Sequence, residues 1–128
     1  MKRQIVGIVL ARNEEWTIAW AVGQVLNFCD RIYLFDHNST DRTPAIMEGL
    51  AKEYEHVKFK TISESRDSHT CLEDYANTPT WVFGVDGDEI YDRERLMELR
   101  PDLLNGKFDS FFKLTGNCLH VRSINLEK

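Results

Sequence analysis

The sequence predicts an α/β fold: three layers, α/β/α, around a mostly parallel sheet. Two observations carry this. Apolar, β-branched runs alternate with segments of helical periodicity, in the order β-α-β-α-β-α-β and then α-β-β; such alternation builds parallel sheets with helices on both faces. The runs are also near-continuously apolar, as strands buried on both faces require.

Taken in order, residues 5–10 (IVGIVL) are the first strand. Asn13 is placed to cap the following helix, and Glu14 and Glu15 suit the positive end of its dipole. Ile18, Val22, Val25 and Leu26 then recur at helical spacing. Residues 31–35 (RIYLF) are the second strand. Thr43-Pro44 opens the second helix, a cap followed by proline in the first turn. Ile46, Met47, Leu50, Ala51 and Tyr54 share one face of it. Residues 57–59 are a short third strand. Cys71, Leu72, Tyr75 and Ala76 mark a third helix, with His69 at its start. Residues 81–85 (WVFGV) are a fourth, central strand. A short helix from Arg93 ends near Leu99, ahead of Pro101. Residues 108–114 and 119–124 read as two further strands. The last is half-exposed, because His120 and Arg122 alternate with Leu119 and Val121. Trp16, Trp20 and Trp81 read as packing residues.

At 128 residues the chain is sized for one domain, residues 1–128. With 42% hydrophobic and 29% charged residues it has material for a core without disulfide or metal staples. A net charge of -5 and a pI of about 5.3 exclude a nucleic-acid footprint, which needs a basic patch. Small anionic ligands remain open, since a metal ion can supply positive charge locally. Cys29, Cys71 and Cys118 are widely spaced, odd in number and form no CxxC. They read as buried, reduced thiols of a cytoplasmic protein. The apolar run behind Met1-Lys2-Arg3 is too short for a membrane span. Arg12-Asn13-Glu14-Glu15 follows it at once with no small-residue cleavage site, so it reads as a buried strand rather than a signal peptide.

Three strands end in polar clusters. Ala11-Arg12-Asn13-Glu14 follows the first, Asp36-His37-Asn38-Ser39-Thr40-Asp41 the second, and Asp86-Gly87-Asp88-Glu89 the fourth. In a parallel sheet the C-terminal ends of the strands share one edge, and open α/β sheets bind ligands there. The three clusters are therefore expected at one crevice. With the chain extended through residues 86–88, Asp86 and Asp88 point the same way, and Gly87 lets a ligand approach the backbone. Two carboxylates without cysteine or histidine beside them suit a hard cation, Mg²⁺ or Mn²⁺. Mg²⁺ takes one or two carboxylates and completes its shell with water and phosphate oxygens, so a metal-bridged diphosphate is implied. The plainer alternative is an acidic turn.

The Asp36 loop is rich in turn and cap formers. Its place on the same edge makes Asp36 equally a candidate to accept hydrogen bonds from a nucleobase or ribose. His37 is either a base contact or a solvated loop histidine, and His56 reads as surface. Other motifs fail. Counted from Asp86, the sixth and twelfth positions of an EF-hand are Tyr91 and Met97; counted from Asp36 they are Asp41 and Met47. There is no GxGxxG, GxxxxGK[ST] or GxSxG.

The blocks IVLARNEE, IYLFDHNSTDRT and WVFGVDGDE, in this order, resemble the nucleotide-sugar-binding half of family 2-type glycosyltransferases with the GT-A fold. The resemblance covers about residues 4 to 100. It implies a Rossmann-like (GT-A) sheet, a nucleoside-diphosphate-sugar donor, an acceptor the sequence does not name, and inverting transfer. It also implies a divalent metal, Mg²⁺ or Mn²⁺, acting as a Lewis acid on the leaving nucleoside diphosphate. Carried over by position, Ala11, Arg12 and Asn13 lie near the nucleoside. Asp36 and its loop, His37 included, hold the base. Asp86 sits by the ribose and metal, and Asp88 binds the metal and diphosphate.

The chain departs from the family in three ways. His37 stands where many relatives carry a second aspartate. Near the third helix, Arg66 or His69 is nearest to the relatives' arginine. Such enzymes are also usually longer, so the resemblance implies a domain truncated at its C-terminus, with the acceptor site and catalytic base beyond it. Two rivals stand beside this reading. A nucleotidyltransferase usually has a glycine-rich loop where this chain has Ala11-Arg12-Asn13. A catalytically incomplete nucleotide-sugar-binding or interaction module suits the short chain.

Overall fold

The computed structural model describes residues 2–110 and the backbone of residues 119–120. The elements are β1 (Gln4–Ala11), α1 (Ile18–Val25), β2 (Arg31–His37), α2 (Thr43–Glu53), β3 (Val57–Ile62), a 3-10 helix (Ser65–Tyr75), β4 (Thr80–Asp86), β5 (Glu89–Ile90), α3 (Arg93–Leu104) and β6 (Leu119–His120). Four strands form one parallel sheet in the order β3-β2-β1-β4, and β5 pairs antiparallel with β6 in a second, two-stranded sheet.

Strand alternation assigns the two faces of the sheet. Ile5, Val9 and Ala11 of β1 pack with Ile18, Val22 and Val25 of α1, Met47 of α2, and Leu96 and Leu103 of α3. On the other face Ile8, Phe35 and Ile62 pack with Leu10, Tyr33, Cys71 and Leu72. The sheet thus lies between three α-helices and the 3-10 helix, the α/β architecture the element order predicts. Each fully buried Val, Leu or Ile contributes about 1.5–3 kcal/mol. The α-helical side holds most of them, so most of the apolar stabilisation lies there. Cys29 is buried and Cys71 half-buried, both as free thiols.

Several expectations need correction. Asn13 does not cap α1. Its φ of 54° is left-handed, which a helix entry does not allow, and the N-cap is Thr17. The third helix is of 3-10 type and begins at Ser65, so His69 lies inside it. Helix α3 does not stop near Leu99. It runs through Pro101 to Leu104, because Leu103 is buried and Arg100 ties the helix to the Phe28 carbonyl and to Asp30.

β4 is an edge strand of the four-stranded sheet rather than a central one. Residues 108–110 form turns instead of a strand, and residues 111–114 lie outside the described residues. β6 covers the first two residues of the last expected strand and joins β5, not the main sheet; residues 121–124 lie outside the described residues. Cys118 also lies outside them. Trp81 packs against the core as expected, but Trp16 and Trp20 are 72% and 49% exposed. His56 is half-buried, with Nε2 donating to the Leu26 carbonyl at 2.8 Å.

Candidate functional site

β1, β2 and β4 are parallel, so Ala11, His37 and Asp86 finish at one edge. The chain order reverses here. β1 leads outward to β2 and β3, and the chain then returns to lay β4 on the other side of β1. Such a switch point is where open α/β sheets form a ligand crevice. In register, Ala11 pairs with Asp36 and Leu10 with Asp86. Neighbouring strands lie about 4.8 Å apart, so Asp36 and Asp86 flank β1 about 10 Å from each other.

Side chains join the loops after β1 and β2. Each loop carries an asparagine in the left-handed region near its start, Asn13 (φ 54°) and Asn38 (φ 53°), a conformation asparagine tolerates better than most residues. The Asn13 amide donates to the Ser39 hydroxyl at 2.8 Å. Asn13 Oδ1 accepts from the Thr40 amide at 2.7 Å. The Glu14 amide donates to the Thr43 hydroxyl at 2.8 Å, and the Glu15 amide to Asp41 at 3.3 Å. Burial opposes the ionisation of Asp41, but bonds from the Thr43 hydroxyl and amide and from the Glu15 amide hold its carboxyl below the usual range.

Asp36 sits at the base of this junction, 2% exposed. Oδ2 accepts from the Ser39 amide at 3.2 Å. Oδ1 is buried with no hydrogen-bond partner among the described residues. Buried polar atoms are almost always paired, so this oxygen needs an explanation. His37, the next residue, turns away: its Nε2 donates to the Ser63 carbonyl at 3.0 Å and ties β2 to the segment after β3.

The third cluster departs from the extended path. Gly87 and Asp88 form a turn between β4 and β5, so Asp86 and Asp88 are not related by the simple alternation of a strand. The Asp86 amide donates to Glu89 Oε1 at 2.7 Å. The Gly87 amide donates to the Leu10 carbonyl at 3.0 Å, and its carbonyl accepts from the Thr17 hydroxyl at 2.8 Å. A Cβ on Gly87 would stand 2.7 Å from the Ala11 Cβ and 3.1 Å from Glu14 Cγ, so no larger residue fits.

Glu14, expected at this crevice with the rest of the first cluster, sits beside Gly87 and Asp88 and not in the first turn of α1, so it does not serve the helix dipole. Burial raises its carboxyl and the charge on Asp88 raises it further; the Thr17 hydrogen bond pulls it down, while Asp41 and Asp86 add to the rise. Glu14, Asp41, Asp86 and Asp88 thus share one electrostatic environment. Their donors are hard oxygens, the kind Mg²⁺ and Mn²⁺ take. Among the described residues, no three His, Cys, Asp or Glu side chains form a ready-made metal set. Mg²⁺ needs only one or two carboxylates, so the donor chemistry fits.

Ala11 is buried between Asp36 and Gly87, and Arg12 is exposed at the crevice lip. Arg66 and His69 are exposed on the 3-10 helix, and Arg66 pairs with Glu64 at 2.6 Å. Of His120 only the backbone is described, paired with Glu89. An open cavity of about 430 Å³ lies on the 3-10 side, lined by residues including Tyr33, Phe35, Lys58, Lys60 and Cys71; none of the three polar clusters lines it. No helix among the described residues is long and apolar enough to cross a membrane.

The profile of glycosyl transferase family 2 matches residues 8–112. An uncharacterized glycosyltransferase of Rickettsia conorii is 29% identical over 100 residues, covering 73% of this chain and 32% of that protein. One of Rickettsia felis is 30% identical over 97 residues, covering 71% of this chain and 31% of that protein. One of Rickettsia typhi is 30% identical over 98 residues, covering 72% and 30% respectively. This chain spans about a third of the length of these relatives. The matched region contains all three strand-end clusters and the switch point between them, and the chain belongs to glycosyl transferase family 2.

Proposed function

We propose that this chain is the donor-binding part of a glycosyltransferase, holding a nucleoside-diphosphate sugar whose sugar passes to an acceptor. The observation that carries this is Asp36. One carboxylate oxygen is buried and unpaired among the described residues, at the ligand edge of a parallel sheet. Burying such an atom is costly unless a donor reaches it. A nucleobase N–H or a ribose hydroxyl is a donor of the right kind. Asn13 supports this contact by fixing the Asp36 loop, while the His37 ring, bonded to the Ser63 carbonyl, braces β2 outside the contact.

Asp86 and Asp88 would hold Mg²⁺ or Mn²⁺. When bound, the ion supplies Lewis-acid stabilisation of the departing diphosphate. Glu14 and Asp41 add negative charge to the site, so a diphosphate is held more weakly without a cation than with one. Ala11 and Gly87 keep side-chain bulk out of the crevice, and Arg12 is the cation at its lip. The transfer step and the acceptor are matters for the full length of such enzymes, since the match covers 32% of the Rickettsia conorii relative.

Calorimetry with UDP, GDP and their sugars, with and without Mn²⁺, tests the reading. We expect metal-dependent binding that Asp88→Ala abolishes and Asp36→Ala severely weakens. No binding of any nucleotide, with or without metal, would sink it. Donor hydrolysis or sugar transfer by this chain alone would show that it carries its own catalytic groups and is not an incomplete module.

A further inference from the structure

We propose that Thr17 is the positioning residue of the Asp86-Gly87-Asp88 turn, so that a side chain on α1 sets how the metal-facing carboxylates are presented. The inference rests on the donor-site reading above and extends it to a residue outside the three strand-end clusters.

Thr17 stands at the N-cap of α1, where a threonine hydroxyl ordinarily accepts from a backbone amide of the first helical turn. It makes no such bond. Thr17 is 4% exposed, and its hydroxyl instead donates to the Gly87 carbonyl at 2.8 Å, a buried contact across 70 residues of chain. Glu14 Oε2 is a second, longer neighbour at 3.4 Å. The hydroxyl has one proton to share between these two acceptors, and the shorter contact is the one to Gly87.

The Gly87 peptide is thereby held from both ends. Its amide is bonded to the Leu10 carbonyl at 3.0 Å, its carbonyl to Thr17 at 2.8 Å, and Ala11 and Glu14 wall its Cα. The carboxylates of Asp86 and Asp88 branch from the residues on either side of that peptide. Asp86, Asp88 and Glu14 repel one another, so a turn that was not anchored would let them splay apart before a cation arrives. The Thr17 bond opposes this. A group that holds a ligand residue in place in this way typically alters metal affinity about 10–100-fold when removed.

The test compares wild type with Thr17→Val, which keeps shape and loses the hydroxyl, and Thr17→Ser, which keeps the hydroxyl. Nucleotide binding is measured by calorimetry without metal and with Mn²⁺, and folding by circular dichroism. Thr17→Val is expected to lower the Mn²⁺-dependent gain in affinity about 10-fold or more. Metal-free binding at the Asp36 side should be unchanged, and Thr17→Ser should restore the gain. A general loss of structure would weaken both arms together. If Thr17→Val does not fold, Thr17→Ala against Thr17→Ser supplies the same comparison. Wild-type binding with the metal-dependent gain intact in Thr17→Val, or lost equally in Thr17→Ser, overturns this inference alone. Absence of nucleotide binding by wild type overturns the donor-site reading and this one with it.

Discussion

Ala11 and Gly87 meet with no room between them: a Cβ on Gly87 would stand 2.7 Å from the Cβ of Ala11. The nearest atom belongs to a short side chain on a buried strand, so it cannot swing aside. Gly87→Ala is expected to cost about 1–3 kcal/mol in urea unfolding, the range for overpacking. Adding Ala11→Gly should recover part of that loss, with Glu14 still crowding the site. A Gly87→Ala protein as stable as wild type refutes the close approach.

Asn13 acts through both its backbone and its side chain. Asn13→Ala loses the bond to the Thr40 amide and places alanine at φ 54°. The expected cost is about 1–3 kcal/mol, from one hydrogen bond and one left-handed residue. Asn13→Gly loses the bond but not the conformation, so its cost should be smaller. Equal costs for the two variants would show that backbone strain plays no part.

Gly7 and Cys29 should couple. A Cβ on Gly7 would lie 2.8 Å from Cys29 Sγ. Gly7→Ala is expected to destabilise, and the penalty should shrink in a Cys29→Ala background, with a coupling of about 1 kcal/mol or more in a double-mutant cycle. Additive penalties would refute the contact. The same burial pushes the Cys29 thiol up to about 12, with Asp30 adding and Arg100 opposing. Alkylation of Cys29 at about pH 8 should therefore await unfolding, since the thiolate is the reactive form.

Asp30 joins β1 to α3. It accepts from the Ile5 amide at 2.8 Å and from Arg100 at 2.6 Å. Burial alone would raise its carboxyl; the Arg100 hydrogen bond, the Ile5 amide and the nearby positive charge outweigh it and hold the carboxyl below its usual range. A depressed folded value means the unfolded chain takes up the proton first as pH falls. The stabilisation is complete above the unfolded value of about 3.9 and is lost as pH drops through the lower folded value. Asp30→Asn should cost on the order of 1 kcal/mol at neutral pH, because the pair is partly exposed and screened. That difference should vanish in acid, and a gap independent of pH would show that the charge is not its source.

The candidate site was legible where its signal is local. Asp36, Asp86 and Asp88 stand out because each polar cluster directly follows an apolar run, and parallel strands bring such clusters to one edge. Glu14 and Thr17 were not legible in their observed roles. Local rules assign Glu14 to a helix dipole and give Thr17 no role, since Asn13 reads as the cap. Their observed neighbours at Gly87 and Asp88 lie about 70 residues away along the chain. The turn at residues 87–88 stood in the sequence only as the alternative to an extended path, and the pairing of β5 with β6 helps define it.

By itself, the sequence determined the alternation of strands and helices, and with it a parallel sheet whose polar ends share an edge. Periodicity and capping act over a few residues, so they can be read directly. Only the tertiary structure decided that β4 takes the edge beside β1, that Thr17 is the N-cap of α1, and that the Thr17 hydroxyl faces Gly87 instead of its own helix. Those outcomes depend on which surfaces meet after the chain has crossed over itself, and no window of neighbouring residues contains both partners.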